Sequence, residues 1–250
     1  MITQAALKYY ASLLQKKFRL EEQKFLVEGK RLVEVGLEQH RYKCEIVFIT
    51  NEFKEKNEAF VFSSFKEVKF EIVKSSEFNR LCDTKQPQGI AAVFQIPQDN
   101  QQPKVISRKV VYLENIADPG NLGTIIRTCD WFGFGQVLLS QNCVELYNPK
   151  VLRATMGSIF HLSVYENVGL PFLDNLSKLG FEILCSDLDG KNFEEVRKPE
   201  KVVLCLSSEA DGPSKELLAA SDYAITIPQK GNAESLNVSS ASAILLNYFS

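Results

Sequence analysis

Arg127 is the only basic residue between Lys109 and Lys150, and it stands in an otherwise uncharged run, Leu122-Gly123-Thr124-Ile125-Ile126-Arg127-Thr128-Cys129. At 3.6 residues per turn, Asn121, Thr124 and Arg127 or Thr128 project from one side of a helix, and Gly123 permits close approach of another backbone. An isolated cation in that setting reads as held for a purpose rather than scattered for solubility. The plainer alternative is an arginine whose stem packs while its head reaches water. A second loop, 207–214, carries Glu209 at the end of an apolar strand, which by itself is weak. A third stretch, 227–239, breaks a strand at Pro228 and runs through a Gly/Asn loop. It opens a helix with Ser235 or Asn237 as N-cap. Strand, loop and helix N-terminus together offer a cradle of free backbone N–H groups for a polar small molecule. An ordinary core helix explains the same residues almost as well.

The elements that must position these loops follow from the hydrophobic pattern. Apolar strands at 109–115, 136–140, 160–164, 181–186, 201–207 and 223–227 are interleaved with helices at about 121–132, 149–156, 170–179, 215–220 and 236–249. Strands alternating with helices predict a mostly parallel sheet covered on both faces, with ligands gathered at the carboxyl ends of the strands. The last helix is unusual, since residues 235–250 contain no Asp, Glu, Lys or Arg. Such a helix requires a cover. Upstream, a helix at 3–15, strands at 25–28, 44–49, 60–62 and 89–96, and helices at 30–39 and 75–81 make a small α/β unit. The polar, proline-framed segment Pro97-Gln98-Asp99-Asn100-Gln101-Gln102-Pro103 reads as a linker. The expected division is therefore 1–96, a linker at 97–108, and 109–250.

Composition narrows the function. In 250 residues with 45% hydrophobic and 24% charged content, no apolar run approaches a membrane span and the N-terminus lacks a secretory pattern, so the expected location is cytoplasmic. The six cysteines are scattered without a C-x-x-C pair and read as reduced core thiols, so no metal site is expected. Charge is uneven: residues 1–109 hold 19 Lys+Arg against 14 Asp+Glu, and the remainder 10 against 17. A basic N-terminal part suits a polyanion, with ordinary solvated charge as the alternative. There is no phosphate loop of the G-x-x-x-x-G-K-[ST] type, and Gly133-Phe134-Gly135 lies after a helix and before a strand, the wrong order for a dinucleotide fingerprint. His40 and His161 are the only histidines, which argues against a Ser/His triad. His161 reads as a structural residue of an apolar strand.

Taken together, the three loops resemble a known family. Asn115-x-x-Asp118-Pro119-x-Asn121-x-Gly123-x-x-x-Arg127, Ser207-x-Glu209-x-x-Gly212 and Ile227-Pro228-x-x-Gly231-x-x-x-Ser235-Leu236-Asn237-Val238-Ser239 are similar, in order, to the three signature motifs of SpoU-type (SPOUT superfamily) RNA 2′-O-ribose methyltransferases. Arg153-Ala154-Thr155-Met156-Gly157 resembles a further segment of that family. Lys24-Phe25-Leu26-Val27-Glu28-Gly29-Lys30-Arg31-Leu32 and Thr84-Lys85-Gln86-Pro87-Gln88-Gly89 resemble its ribosomal-protein-like substrate-binding domain. The second motif departs from the usual Gly-x-Glu-Gly-x-Gly at Ser207 and Ala210, and Gln229 stands where Met is usual.

The resemblance implies an α/β chain with a trefoil knot in its C-terminal domain, a homodimer, and S-adenosylmethionine as cofactor. Leu206, Ser207, Gly212, Ile227, Gly231 and Leu236 would hold the cofactor. Asn121 would orient Arg127, and Glu209, Ser235 and Asn237 would complete the catalytic side. The N-terminal domain would bind structured RNA, ribosomal before transfer RNA, through Lys16, Lys17, Arg19, Lys24, Lys30 and Arg31. A catalytically silent RNA-binding or assembly factor of the same fold is the alternative, kept open by Ser207.

Overall fold

The computed structural model describes residues 2–39, 41–97, 103–105 and 107–250. His40 and half of the expected linker (98–102 and 106) lie outside the described residues. The chain divides into two compact units, one of residues up to 98 together with Tyr147–Phe160, the other of the remainder.

The first unit contains α1 (Gln4–Ser12), α2 (Lys16–Glu22), β1 (Lys24–Glu28), α3 (Lys30–Glu38), β2 (Cys44–Ile49), α4 (Asn51–Lys56), α5 (Glu58–Ser64), β3 (Phe70–Ile72), α6 (Ser75–Phe78) and β4 (Ile90–Gln95). Its sheet runs β1-β4-β2-β3, with β4 antiparallel to both neighbours and β3 parallel to β2. Residues 60–62, expected as a strand, are helical in α5. Val61 and Phe65, four residues apart, are buried, and Phe60 packs edge-on against Phe53 and Phe65. This is helical periodicity carried by aromatic residues, which a strand reading takes for β propensity.

A second difference concerns the helix expected at 149–156. It forms, as α8 (Pro149–Thr155), but belongs to the first unit and not to the C-terminal one. The reason lies in its flanks and in Arg153. Tyr147 and Phe160 join Phe25, Tyr42 and Phe94 in one aromatic cluster. Arg153 splits its guanidinium between Glu28 (2.7 Å) and Asp83 (2.8 Å), and Glu28 also accepts from Thr84 (2.9 Å).

Arg19 is a buried structural cation. It is 2% exposed, and its Nη1 donates to the Leu13 carbonyl at 2.8 Å, where α1 ends. Arg19→Ala removes a charged donor from a buried carbonyl and should cost about 2 kcal/mol in denaturant unfolding.

The second unit is built from β5 (Lys109–Glu114), α7 (Pro119–Trp131), β6 (Gln136–Leu139), β7 (Ser163–Tyr165), α9 (Pro171–Lys178), β8 (Glu182–Asn192), β9 (Val202–Ser207), α10 (Lys215–Ala219), β10 (Tyr223–Thr226) and α11 (Val238–Phe249). Its six strands run β10-β8-β9-β5-β6-β7 and every pairing is parallel. The core strands are near-continuous apolar runs, as sheets covered on both faces require. In register, Leu113 faces Leu206 and Glu114 faces Ser207, so the loops after β5 and β9 leave the sheet side by side. β8 is longer than the expected 181–186. Gly190 lets it run on against β10, because a Cβ there would sit 2.5 Å from the Ile225 backbone. His161 is not in a strand. It follows a 3-10 turn (Ser158–Phe160) and pairs at the surface with Asp130, Nδ1 to Oδ2 2.7 Å.

Candidate active site

α7 begins two residues earlier than the sequence suggested. Its N-cap is Asp118, whose carboxylate accepts from the Asn121 N–H at 2.7 Å, and Pro119 occupies the first helical position. Asn121 thus lies inside the first turn with its side chain released from capping. Leu122, Gly123, Ile125, Ile126 and Cys129 are buried, whereas Thr124 and Arg127 are exposed. Arg127 has no ion pair or hydrogen bond among the described residues, so its guanidinium is available to a ligand. The expected contact by which Asn121 orients Arg127 is not formed. Asn121 turns to a different partner.

That partner is at the N-terminus of α11. Asn237 is the N-cap, its Oδ1 accepting from the Ser239 N–H at 3.0 Å and from the Ser239 hydroxyl at 2.5 Å. Its Nδ2 donates to Asn121 Oδ1 at 3.1 Å. The Val238 N–H, the first of the helix, donates to Glu209 Oε1 at 2.5 Å. One residue from each of the three loops therefore meets at a single helix end, where a carboxylate is favoured by the unsatisfied N–H groups and the helix dipole. Glu209 is anchored here; Ser235 is exposed and makes no hydrogen bond among the described residues.

Beside this helix end lies a cavity of about 610 Å³. All six expected cofactor residues line it: Leu206, Ser207, Gly212, Ile227, Gly231 and Leu236. Sequence reading missed the wall supplied by the extension of β8, where Asp187 and Asp189 lie. The alternation of acidic and apolar residues at Asp187-Leu188-Asp189 beyond an apolar strand was the available signal. Glu114 was missed as well. Buried at the end of β5, it accepts from the Ser214 N–H (2.8 Å) and hydroxyl (2.7 Å) and ties down the far end of the 208–214 loop. Gln229 closes the third loop on itself, its Nε2 donating to the Gly231 and Ala233 carbonyls at 2.7 and 2.8 Å.

The glycine substitutions in the second motif cost little backbone energy. Ser207 and Ala210 are absent from the positive-φ residues, so neither needs glycine for its backbone; Gly212 does, at φ +66°. Nothing lies within 4 Å of a Cβ built on Gly212, so Gly212→Ala should lose only the left-handed backbone term, about 1–2 kcal/mol by chemical denaturation. A larger loss would mean that the loop is more tightly packed than this geometry.

The thiols do not compete as nucleophiles. Burial pushes Cys44 and Cys185 up to about 12 and raises Cys129 and Cys205 well above the ordinary thiol value.

The expected RNA-contact residues fall into two groups. Lys16, Lys17 and Arg31 are exposed, Lys17 with a loose 3.8 Å pair to Glu21. Lys30 is half-buried, donating to Asn57 Oδ1 at 3.1 Å with its ammonium 5.0 Å from the Phe60 ring centre. Lys24 is committed to Glu45 (2.6 Å) and Tyr9 (3.0 Å), and Arg19 is buried as described, so these two positions are occupied by internal work.

Known proteins share this architecture. A family model described as the SpoU rRNA methylase family matches residues 108–247, and one described as an MRM3-like substrate binding domain matches residues 4–92. The chain is 32% identical to the 23S rRNA (guanosine(2553)-2′-O)-methyltransferase RlmP of Bacillus subtilis, over 96% of this chain and 93% of that one. A solved TrmH-family structure from Porphyromonas gingivalis superposes with a TM-score of 0.88 at 31% identity, covering 100% of this chain and 98% of that one. An AdoMet-bound rRNA methyltransferase from Sinorhizobium meliloti gives a TM-score of 0.82 at 27% identity, covering 98% and 94%.

Proposed function

Because the chain belongs to the SpoU rRNA methylase family, we propose that it methylates a ribose 2′-hydroxyl of structured ribosomal RNA, with S-adenosylmethionine as methyl donor. The observation that carries this reading is the meeting of Asn121, Glu209 and Asn237 at the α11 N-terminus beside the 610 Å³ cavity. The cavity fits the donor: Leu206, Ile227 and Leu236 offer apolar surface, Asp187 and Asp189 offer negative charge toward a cation, and the loops offer backbone polar groups. Bound there, the donor would supply an electrophilic methyl group on a sulfonium.

Transfer of that methyl would require the ribose hydroxyl to be held in line with it and to pass its proton to solvent as the bond forms. A guanidinium holds its proton too tightly to serve as a general base, so another role falls to Arg127. Its role is to stabilise the developing alkoxide or to clamp the adjacent phosphate, and its exposed, unpaired position supports that role. Glu209 and Asn237 hold the helix end, and through Asn121 they tie α7 to it. The relative from Bacillus subtilis favours ribosomal over transfer RNA. Ribose-methylation mapping of total RNA from cells with and without the protein tests the proposal: one ribosomal position should lose its methyl group, and an unchanged ribosomal map would overturn it.

The working form is a homodimer in the cytoplasm, with the C-terminal domain threaded as a trefoil knot. Much of the uncharged α11 is already covered, because Val238, Ser242, Leu245, Leu246 and Phe249 are buried and the helix packs on α7 and β9. What remains for a second copy is the exposed, uncharged stripe of Ser240, Ile244 and Asn247. Light scattering should return twice the chain mass. No helix among the described residues is long and apolar enough to cross a membrane.

RNA backbone contact falls to Lys16, Lys17, Lys30 and Arg31. Neutralising Lys16, Lys17 and Arg31 together should reduce the slope of log affinity against log salt by about 2–3, at roughly 0.7–0.9 per lost phosphate contact. An unchanged slope in a salt titration would return these residues to solvated surface.

A further inference from the structure

A second cavity, of about 260 Å³, lies wholly within the first unit, between α4, α6 and the start of β4. Its lining includes the buried residues Phe53 and Phe78 and the polar residues Lys56, Asn79 and Gln88. The two segments that resemble a substrate-binding domain converge here, since Gln88 Oε1 accepts from the Lys30 N–H at 3.0 Å. That bond commits the Gln88 oxygen and leaves its Nε2 as a donor. Asn79 is exposed and its carboxamide makes no hydrogen bond among the described residues, so both its donor and its acceptor are open. Asn57, by contrast, has both ends of its carboxamide engaged, donating to the Phe53 carbonyl at 3.0 Å and accepting from Lys30 Nζ at 3.1 Å. Glu52 lies at the same cavity, its carboxylate accepting from the Ser75 hydroxyl at 3.2 Å.

We propose that this cavity receives one unpaired nucleobase of the RNA substrate, read by the Asn79 and Gln88 carboxamides. The chemistry is specific to a base edge. A carboxamide presents a donor and an acceptor side by side, as the polar edges of nucleobases do, and such pairs discriminate among bases. Glu52 accepts from exocyclic amino groups and repels phosphate, whereas Lys56 and the fixed Lys30 ammonium suit the flanking backbone. A duplex cannot enter, because its bases are stacked and paired; sequence-specific RNA recognition falls on bases that are splayed out. The inference rests on RNA being the substrate, and it adds a base-reading function to a unit otherwise assigned only backbone contact.

The test uses the full chain and fluorescence anisotropy with a short labelled single-stranded RNA, the same RNA annealed to its complement, and labelled homopolymers of each base. The single strand should bind more tightly than the duplex, with one homopolymer preferred. Asn79→Ala should weaken the preferred strand about tenfold or more while leaving duplex binding and the salt slope unchanged. Lys56→Gln should instead lower the single-strand salt slope by about 0.7. Asn79 is exposed, so thermal unfolding of its variant should match the wild type. Equal loss on single strand and duplex, no loss on either, or no binding of any RNA would overturn the base site. Calorimetry with S-adenosylmethionine in parallel separates the two readings. Intact donor binding with any of those outcomes removes the base site alone, whereas absent donor binding removes the methyltransferase reading as well.

Discussion

Arg127→Ala should lower turnover by about a hundredfold to a thousandfold while leaving S-adenosylmethionine affinity within a few-fold of wild type, the scale on which removing one preorganised charge-stabilising donor acts. The split follows from the geometry. Arg127 lies on the exposed face of α7, six residues beyond Asn121, and is not among the residues that line the 610 Å³ cavity. At 1.5 Å per residue that places it about 9 Å along the helix axis from the Asn121–Asn237 junction. Its stem supports no core, since Leu122, Ile125, Ile126 and Cys129 on the other face do that work, so stability should hold. Donor binding by calorimetry and a labelled-methyl transfer assay on ribosomal RNA separate the effects. Parallel loss of both would move Arg127 into the cofactor site and end its assignment to the reacting hydroxyl.

Glu209 separates two chemical roles through a pair of substitutions. Its Oε1 accepts from the Val238 N–H at 2.5 Å, so the carboxylate is held as an acceptor at the helix end. Glu209→Gln keeps an oxygen in that position and should retain activity within about tenfold, losing chiefly the charge–dipole term of roughly 0.3–1 kcal/mol. Glu209→Ala leaves the Val238 N–H without its partner and releases the loop from α11. Turnover per donor bound should then fall by about a hundredfold, because a displacement of the order of 1 Å in a reacting array has that effect. A general base would behave otherwise, with the Gln variant as inactive as the Ala variant in a pH-rate measurement. That outcome would assign proton removal to Glu209 and require its hydrogen bond to Val238 to break during turnover.

Several properties were legible in the sequence because they depend on residues close together in the chain. Periodicity placed most strands and helices of the second unit, and Pro228 with the Gly/Asn loop located one wall of the 610 Å³ cavity. The order and spacing of three short motifs identified the family. The failures were local ambiguities: aromatic residues 60–62 lie in a helix because their neighbours Phe53 and Phe65 cover it, and Asp118 caps α7 so that it starts at Pro119, two residues before the expected 121.

Other properties needed the folded chain. Arg19, a cation in a basic stretch, reads as a polyanion contact until burial and the Leu13 carbonyl show its role. Glu114 and Asp187 are single acidic residues whose importance comes from partners or walls far along the chain. Asn121 and Asn237 are 116 residues apart, and no spacing rule relates them. Composition and period encode what one segment does with its own backbone and one apolar face. Which side chains from distant loops share a helix end depends on the order and register of parallel strands, and that is decided only when the sheet has formed.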